Sequence, residues 1–316
     1  MKPIYVAQCS ELAASRPCES LDTGHPLYPS ITMDHFNPST VIPMMKMRRM
    51  DRASRMLIYT MKSMIDSDCE GWGLYVGTYS AGSDAVEQFL ARYLDEGPLG
   101  ANPMVFPNTV LNAAAGQAAI FYGLKGPNST QCQNLLAGTA AVQAAFHHLQ
   151  RNDLTVIAGA VDIVAEHQLR VWRGMHGYGS EFLIGEGVGL LKLSRRPSAV
   201  QLLGFSQGRL STPVFQLPTG GEAWSQQYSV HCEKFGRPDR VYPFSFSAEQ
   251  TEVQMTAEMN DIDRIELGAN RGISSSLPVQ AMVHACTHLK SGESADILAF
   301  GFAGDFLVTR IKRLTD

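Results

Sequence analysis

Between Gly97 and Gln150 the chain carries one charged side chain, Lys125. At the 18% charged fraction of the whole sequence, a stretch of that length would hold about ten, so something must keep it from water. A bilayer is a poor candidate. Pro98, Pro103, Pro107, Asn112, Gln117, Pro127, Asn128, Gln131 and Gln133 interrupt the span, and each polar group left unsatisfied in hydrocarbon is costly. The remaining reading is burial within protein, part of it in a subunit interface.

Composition agrees with a folded, soluble chain. The 316 residues are 45% hydrophobic, enough for a large core. With 26 Lys and Arg against 30 Asp and Glu the net charge is −4, which argues against wholesale nucleic-acid binding. Cys9, Cys18, Cys69, Cys132, Cys232 and Cys286 form no CxxC pair, and a chain this long needs no disulfide staples, so a reducing, cytoplasmic setting is expected. The opening MKPIYVAQCS offers one Lys and an apolar run too short for a signal-peptide core, so no export signal is expected.

No linker, charge block or short tandem repeat divides the sequence, so a single domain over residues 1–316 is expected. Helices are predicted over Arg48 to Ile65, over Ser83 to Leu94 with Ser83 as N-cap, over Asn108 to Tyr122 and over Leu136 to Gln150. The last two are apolar on all sides, as central helices of a layered α/β/α body would be. Strands are predicted at Gly73 to Val76, Leu154 to Val161, Gly187 to Leu193, Val200 to Gly204, Ile262 to Leu267, Ile297 to Phe302 and Phe306 to Ile311. GVGLLKLSRR and GDFLVTRIKR resemble each other and hint at an internal duplication, and Ser211 to Thr256 reads mostly as loops.

The specific signal is a combined pattern. NPMVFPNTVLNAAAGQAAIFYGLKGPNST is followed by AGTAAVQAAFHHLQRNDLTVIAGAVD, and RRMDRASRM, YVGTYSAG, LIGEGVGLLKLSRR and ILAFGFAG flank them. Pro103, Phe106, Pro107, Asn112, Gly116, Gly123, Gly126, Pro127 and Asp162 fall at the matching places. This resembles the β-ketoacyl synthases of the thiolase superfamily, most closely over residues 45–195 and again over 295–313. The resemblance implies a layered αβαβα fold, truncated relative to full-length ketosynthases around 162–185 and 210–275.

The groups that would do the family's chemistry are missing. The resemblance places the nucleophilic Cys nine residues after Gly126, where Leu135 stands, and an aliphatic side chain cannot form a thioester. The family's His-Gly-Thr motif is replaced by Gly268, Ala269 and Asn270, and no Lys-Ser-x-x-Gly-His motif occurs. Without two imidazoles, malonyl decarboxylation and oxyanion stabilisation have no evident device.

A ketosynthase-like chain without its nucleophile resembles a chain-length factor, the silent subunit of a type II polyketide or aryl-polyene ketosynthase. That resemblance implies a heterodimer with an active ketosynthase, a shared acyl tunnel, an acyl carrier protein bearing phosphopantetheine as a further partner, and no cofactor on this chain. It implies a chain-length gate at Tyr79, Ser80, Ser83 and Glu87 with Phe106 near the same wall, and an interface including Asn112, Gly116, Gly126 and Pro127. Many members carry Gln at the lost Cys position, whereas Gln131 and Gln133 are offset from it here.

Other readings stand beside this one. Cys132 or Ser129 could be a shifted nucleophile of an acyltransferase or hydrolase, or the chain could be a degenerate homodimeric scaffold. His284 and His288 have the spacing of a helical metal pair but lack the Glu of a zinc hydrolase motif, so no metal is expected. Gly185, Gly187 and Gly189 lead into a strand rather than a helix, unlike a dinucleotide loop. Lys46, Arg48, Arg49, Arg52, Arg55 and Lys62, opposed by Asp51, make a solvated helix face or a docking surface for an acidic carrier protein. Met44, Met45, Met47, Met50, Met56, Met61 and Met64 suit a core or an interface.

Overall fold

The computed structural model describes residues 1–13, 30–31, 36–167, 171, 184–211, 221–244, 256, 259, 261–267, 271–301 and 303–315. Cys18, Gly268 to Asn270 and Phe302, singled out above, lie outside the described residues.

The strands are β1 (Ile4–Ala13), β2 (Ser30–Ile31), β3 (Gly73–Gly77), β4 (Asn128–Gln131), β5 (Val156–Asp162), β6 (Ile184–Gly185), β7 (Gly187–Ser194), β8 (Val200–Arg209), β9 (Arg240–Phe244), β10 (Asp263–Arg264), β11 (Ser294–Phe300) and β12 (Asp305–Arg313). The helices are α1 (Met44–Met47), α2 (Arg52–Met61), α3 (Ser83–Glu96), α4 (Ala113–Tyr122), α5 (Ala137–Arg151), α6 (Glu222–Phe235) and α7 (Leu277–His288).

Strand order confirms the duplication. Ten strands run β10-β9-β11-β12-β8-β1-β7-β5-β3-β4. In the first half β3 is parallel to β4 and β5, while β7 is antiparallel to β5 and β1. In the second half β9 is parallel to β10 and β11, while β12 is antiparallel to β11 and β8. Numbered within each half, the order is the same. The halves join where Ile4 and Tyr5 of β1 pair with Leu202 and Gln201 of β8.

Side-chain alternation stacks these strands into five layers. On β5, Val156, Ala158 and Ala160 face a central core while Ile157 and Val161 face an outer one. On β11, Ala295, Ile297 and Ala299 face the same central core while Leu298 and Phe300 face the opposite outer side. The central core holds α5 and α7; α2 and α4 cover one outer face, and α6 covers the other. The order is therefore α/β/α/β/α, two layers more than apolar periodicity alone suggested. Gly138 permits the central contact, since a Cβ there would lie 2.3 Å from the Ser275 carbonyl oxygen.

The two resembling strand ends have a common electrostatic task. On β7, Lys192 Nζ donates to Met64 O, at the end of the turn that follows α2, at 3.2 Å, and just past the strand Arg195 Nε donates to Leu149 O in the last turn of α5 at 2.7 Å. On β12, Arg310 Nη1 donates to Phe235 O at the end of α6 at 2.8 Å, and Arg313 Nη2 donates to Cys286 O in the last turn of α7 at 2.7 Å. Each half thus ends its last strand in two cations, three residues apart, that cap one outer and one central helix.

The structure corrects several expectations. Within Ser211 to Thr256, expected to be mostly loops, the described residues include α6 and β9, with Trp224, Tyr228 and His231 forming a buried helical stripe between polar residues. β1 was not predicted, although it lies at the centre of the sheet. The predicted strand at Ile262 to Leu267 is regular only over Asp263–Arg264. Arg48 to Ile65 is broken before α2, whose N-cap Asp51 accepts from Ser54 N at 3.1 Å. Gly82, not Ser83, occupies the N-cap of α3, because φ there is +79° and a Cβ would approach Asn108 O to 2.7 Å. The helix predicted from Asn108 begins only at Ala113.

The Gly97 to Gln150 span is only partly hidden. Leu99, Met104, Phe106, Val110, Leu111 and Ile120 are exposed, next in sequence to Leu90, Tyr93 and Leu94 of α3, a helix whose one buried residue is Ala85. Met47, Met50, Met56, Met61 and Met64 are core, while Met44 and Met45 are exposed.

A buried polar knot holds α6 down. The Asp296 carboxylate accepts from Arg310 Nη2 at 2.9 Å and Tyr228 OH at 2.9 Å, and lies 3.1 Å from His231 Nε2. Burial pushes the Asp296 carboxyl up, but Arg310 and His231 overcome this and hold it below its ordinary value. Stability from this depression is present above the unfolded carboxyl value and lost as pH falls through the folded one. Arg310→Met should therefore cost about 3–5 kcal/mol near neutrality in urea unfolding. The gap to wild type should shrink as pH drops below about 4.

Candidate functional site

The place expected to hold a nucleophile is the turn that leads from β4 into α5. Asn134–Leu136 forms a single 3-10 turn, and Asn134 has φ of +40°, the one non-glycine residue with positive φ among those described. A sharp turn that presents a side chain at a helix tip is thus retained. What it presents is apolar. Leu135 is 7% exposed and lines a small space of about 10 Å³ with Phe244, Ile273, Ser274, Leu277, Pro278, Ala299 and Phe300. That is about the room one water needs. No Cys or His is among those lining residues.

Beside this turn, the Asp162 carboxylate fixes both halves at once. Its Oδ1 accepts from Tyr79 N at 2.7 Å and Ser80 N at 3.0 Å, and lies 3.1 Å from the hydroxyls of Thr78 and Ser80. Its Oδ2 accepts from Ser275 N and Ser275 Oγ, both at 2.6 Å, at the head of α7. Burial raises the Asp162 carboxyl, and the hydrogen bonds from Ser275, Tyr79 and Ser80 work against that rise. Sequence reading named Asp162 only as a motif match. The signal for its role was the Ser274-Ser275-Ser276 run ahead of α7.

Of the five expected gate residues, Tyr79 and Ser80 lie in the loop after β3, Ser83 and Glu87 on α3, and Phe106 in the segment that follows it. Ser80 is buried on Asp162 and Ile163, and Tyr79 is held through its backbone. Ser83 and Glu87 follow each other by one turn on α3, and Glu87 Oε2 lies 3.3 Å from His167 Nδ1. Phe106 is exposed and tilts against Phe89 at 5.6 Å between ring centroids.

The expected interface and docking residues also divide. Asn112 is exposed and Gly116 half-buried, near exposed Leu111 and Ile120. Gly126 instead packs within the chain, where a Cβ would lie 2.4 Å from Trp72 O, and Pro127 O accepts from Leu74 N. Arg48 and Arg49 are exposed, whereas Arg52 pairs with buried Glu186 and Arg55 has its Nε buried.

The competing residues have their own settings. Cys132 is exposed, but partial desolvation and the Asp162 charge hold its thiol above the ordinary value, the opposite of an activated nucleophile. His284 and His288 stack at 3.9 Å between centroids, and His284 Nδ1 lies 2.9 Å from Tyr242 OH. Gly187 and Gly189 sit in β7, close against α7. No helix among the described residues is long and apolar enough to cross a membrane.

Comparison with known proteins agrees with this geometry. Residues 28–199 match the family described as beta-ketoacyl synthase, N-terminal domain. The 3-oxoacyl-[acyl-carrier-protein] synthase 2 of Staphylococcus aureus (strain N315) is 24% identical over 193 residues, covering 53% of this chain and 47% of that protein. The match thus spans about half of the relative's length. The ishigamide ketosynthase/chain length factor superposes with a TM-score of 0.82 at 13% identity over 100% of both chains. A second structure, AntDE:AntF, a type II acyl-carrier protein in complex with its ketosynthase, superposes with a TM-score of 0.78 at 16% identity over 99% of each. At such identities the superpositions establish the fold, a thiolase-like ketosynthase fold. With more than half of its length matching the family pattern, the chain belongs to the β-ketoacyl synthase family.

Proposed function

We propose that the chain is a non-catalytic, chain-length-setting subunit that pairs with an active β-ketoacyl synthase and shapes the tunnel for its growing acyl chain. The observation that carries this reading is the filled turn: Leu135 stands where the family nucleophile is expected, in a space of about 10 Å³ walled by apolar side chains. Such a site has no thiolate to acylate.

The exposed apolar surface of α3 and the segment from Leu99 to Ile120 supports a partner, since patches of this kind are rarely left wet in a monomer. β4, at the end of the strand order, lies close by with one edge that pairs with no described strand. Arg48 and Arg49 are free to meet an acidic carrier protein that brings phosphopantetheine-bound intermediates to the partner's cysteine.

Made alone, the chain should self-associate, and co-expressed with its synthase it should elute as a 1:1 heterodimer burying on the order of 2,000 Å² or more. Size exclusion with light scattering reads this, and a well-behaved lone monomer at micromolar concentration would count against it.

Product length tests the tunnel. Ser83→Phe adds a ring at the start of α3, and overpacking of about 1–3 kcal/mol would disfavour the last elongation rounds. Shorter carrier-bound products are expected from Ser83→Phe and longer or mixed ones from Phe106→Ala, read by mass spectrometry. An unchanged distribution in both would remove the gate while leaving the heterodimer intact.

A further inference from the structure

At the other end of the sheet from the Leu135 turn, β3 and β5 begin and β7 ends around a cleft of about 520 Å³. Trp72, Asp153, Thr155, Ser194, Arg195 and Arg196 line it. Arg195 spends Nε on Leu149 O and leaves Nη2 buried without an acceptor. Arg196 is exposed; its backbone N donates to Ser194 Oγ, and no acceptor faces its guanidinium among the described residues. Asp153 lines the same cleft, exposed, without an ion pair to either arginine.

The internal duplication supplies a control within the same molecule. Immediately before β11 stands Glu293, whose carboxylate lies 3.1 Å from Arg240 Nη2 and accepts from Lys290 N at 2.9 Å. In the first half Val156 pairs with Leu193 as Ala295 pairs with Ile311, and Gly73 pairs with Val156 as Arg240 does with Ala295, so Leu154 stands where Glu293 does and Gly73 where Arg240 does. The second half therefore carries an ion pair at this place, and the first half carries two uncharged residues beside an open cleft.

We propose that this cleft binds a phosphate ester of nucleotide size. Arg195 and Arg196 take the anionic group, the hydroxyls of Thr155 and Ser194 add neutral donors, and Asp153 accepts from an amino or hydroxyl group on the rest of the ligand. The volume sits in the range typical of small-molecule sites, roughly 300–1,000 Å³, and exceeds what a bare phosphate needs. The site stands apart from the Leu135 turn, so it does not rest on the chain-length reading.

The test is calorimetric titration of the full chain, in its complex if that is the soluble form, with ADP, pyrophosphate and adenosine. ADP should bind saturably and more tightly than pyrophosphate, adenosine most weakly, with affinity falling as salt is added. Losing one charge-assisted hydrogen bond in Arg196→Gln should raise the ADP dissociation constant roughly 10- to 100-fold. Arg196 is exposed, so that variant should melt like wild type, and Asp153→Asn should tighten pyrophosphate by removing a like charge. No saturable binding of ADP or pyrophosphate at millimolar concentration, or binding that Arg196→Gln leaves unchanged, would overturn the proposal. Pyrophosphate binding as tightly as ADP would overturn the nucleotide-sized assignment.

Discussion

One buried carboxylate organises the end of the sheet where the family's chemistry is expected. Asp162 closes β5 in the first half and receives donors from the loop after β3 and from the head of α7 in the second half. A fully buried acid is tolerable only when its lone pairs are filled, and here they are filled from both halves. The loop so fixed leads into α3, which carries the exposed apolar face, while Ser275 leads into α7, which walls the Leu135 space. The exposed apolar face and the Leu135 space therefore share one anchor.

Duplication then explains much of the remainder. Each half repeats five strands in one order, and each closes its last strand with a pair of cations that neutralise the ends of one outer and one central helix. Where the halves differ, chemistry differs. Lys192 rests on Trp72 at 4.1 Å from the ring centroid, while Arg310 enters the Asp296 knot. The Glu293–Arg240 pair is replaced in the first half by Leu154 and Gly73, beside the polar cleft.

The sequence was legible where a side chain decides something on its own. Ala-rich α5, the apolar runs of β5 and β11 and the SRR and IKR endings all declared themselves. It was illegible where burial depends on partners far along the chain. β1 reads as a polar, mixed segment because its pairing with β7 and β8 spans most of the sequence. The stripe of Trp224, Tyr228 and His231 is diluted by Gln and Ser, and His231 is buried only because Asp296 and Ser206 meet it. Ser80 stood out only as a small residue of the expected gate, and nothing local signals that its hydroxyl bonds Asp162 and Ile163.

The central claim is that this chain takes no acyl group itself. Intact-protein mass spectrometry of the co-purified pair, sampled while acyl carrier donors are being consumed, addresses it directly. The account predicts acyl adducts on the partner and an unchanged mass for this chain, whose Leu135 cannot be acylated and whose Cys132 thiol is held protonated. An acyl adduct on this chain that disappears in Cys132→Ala would contradict it.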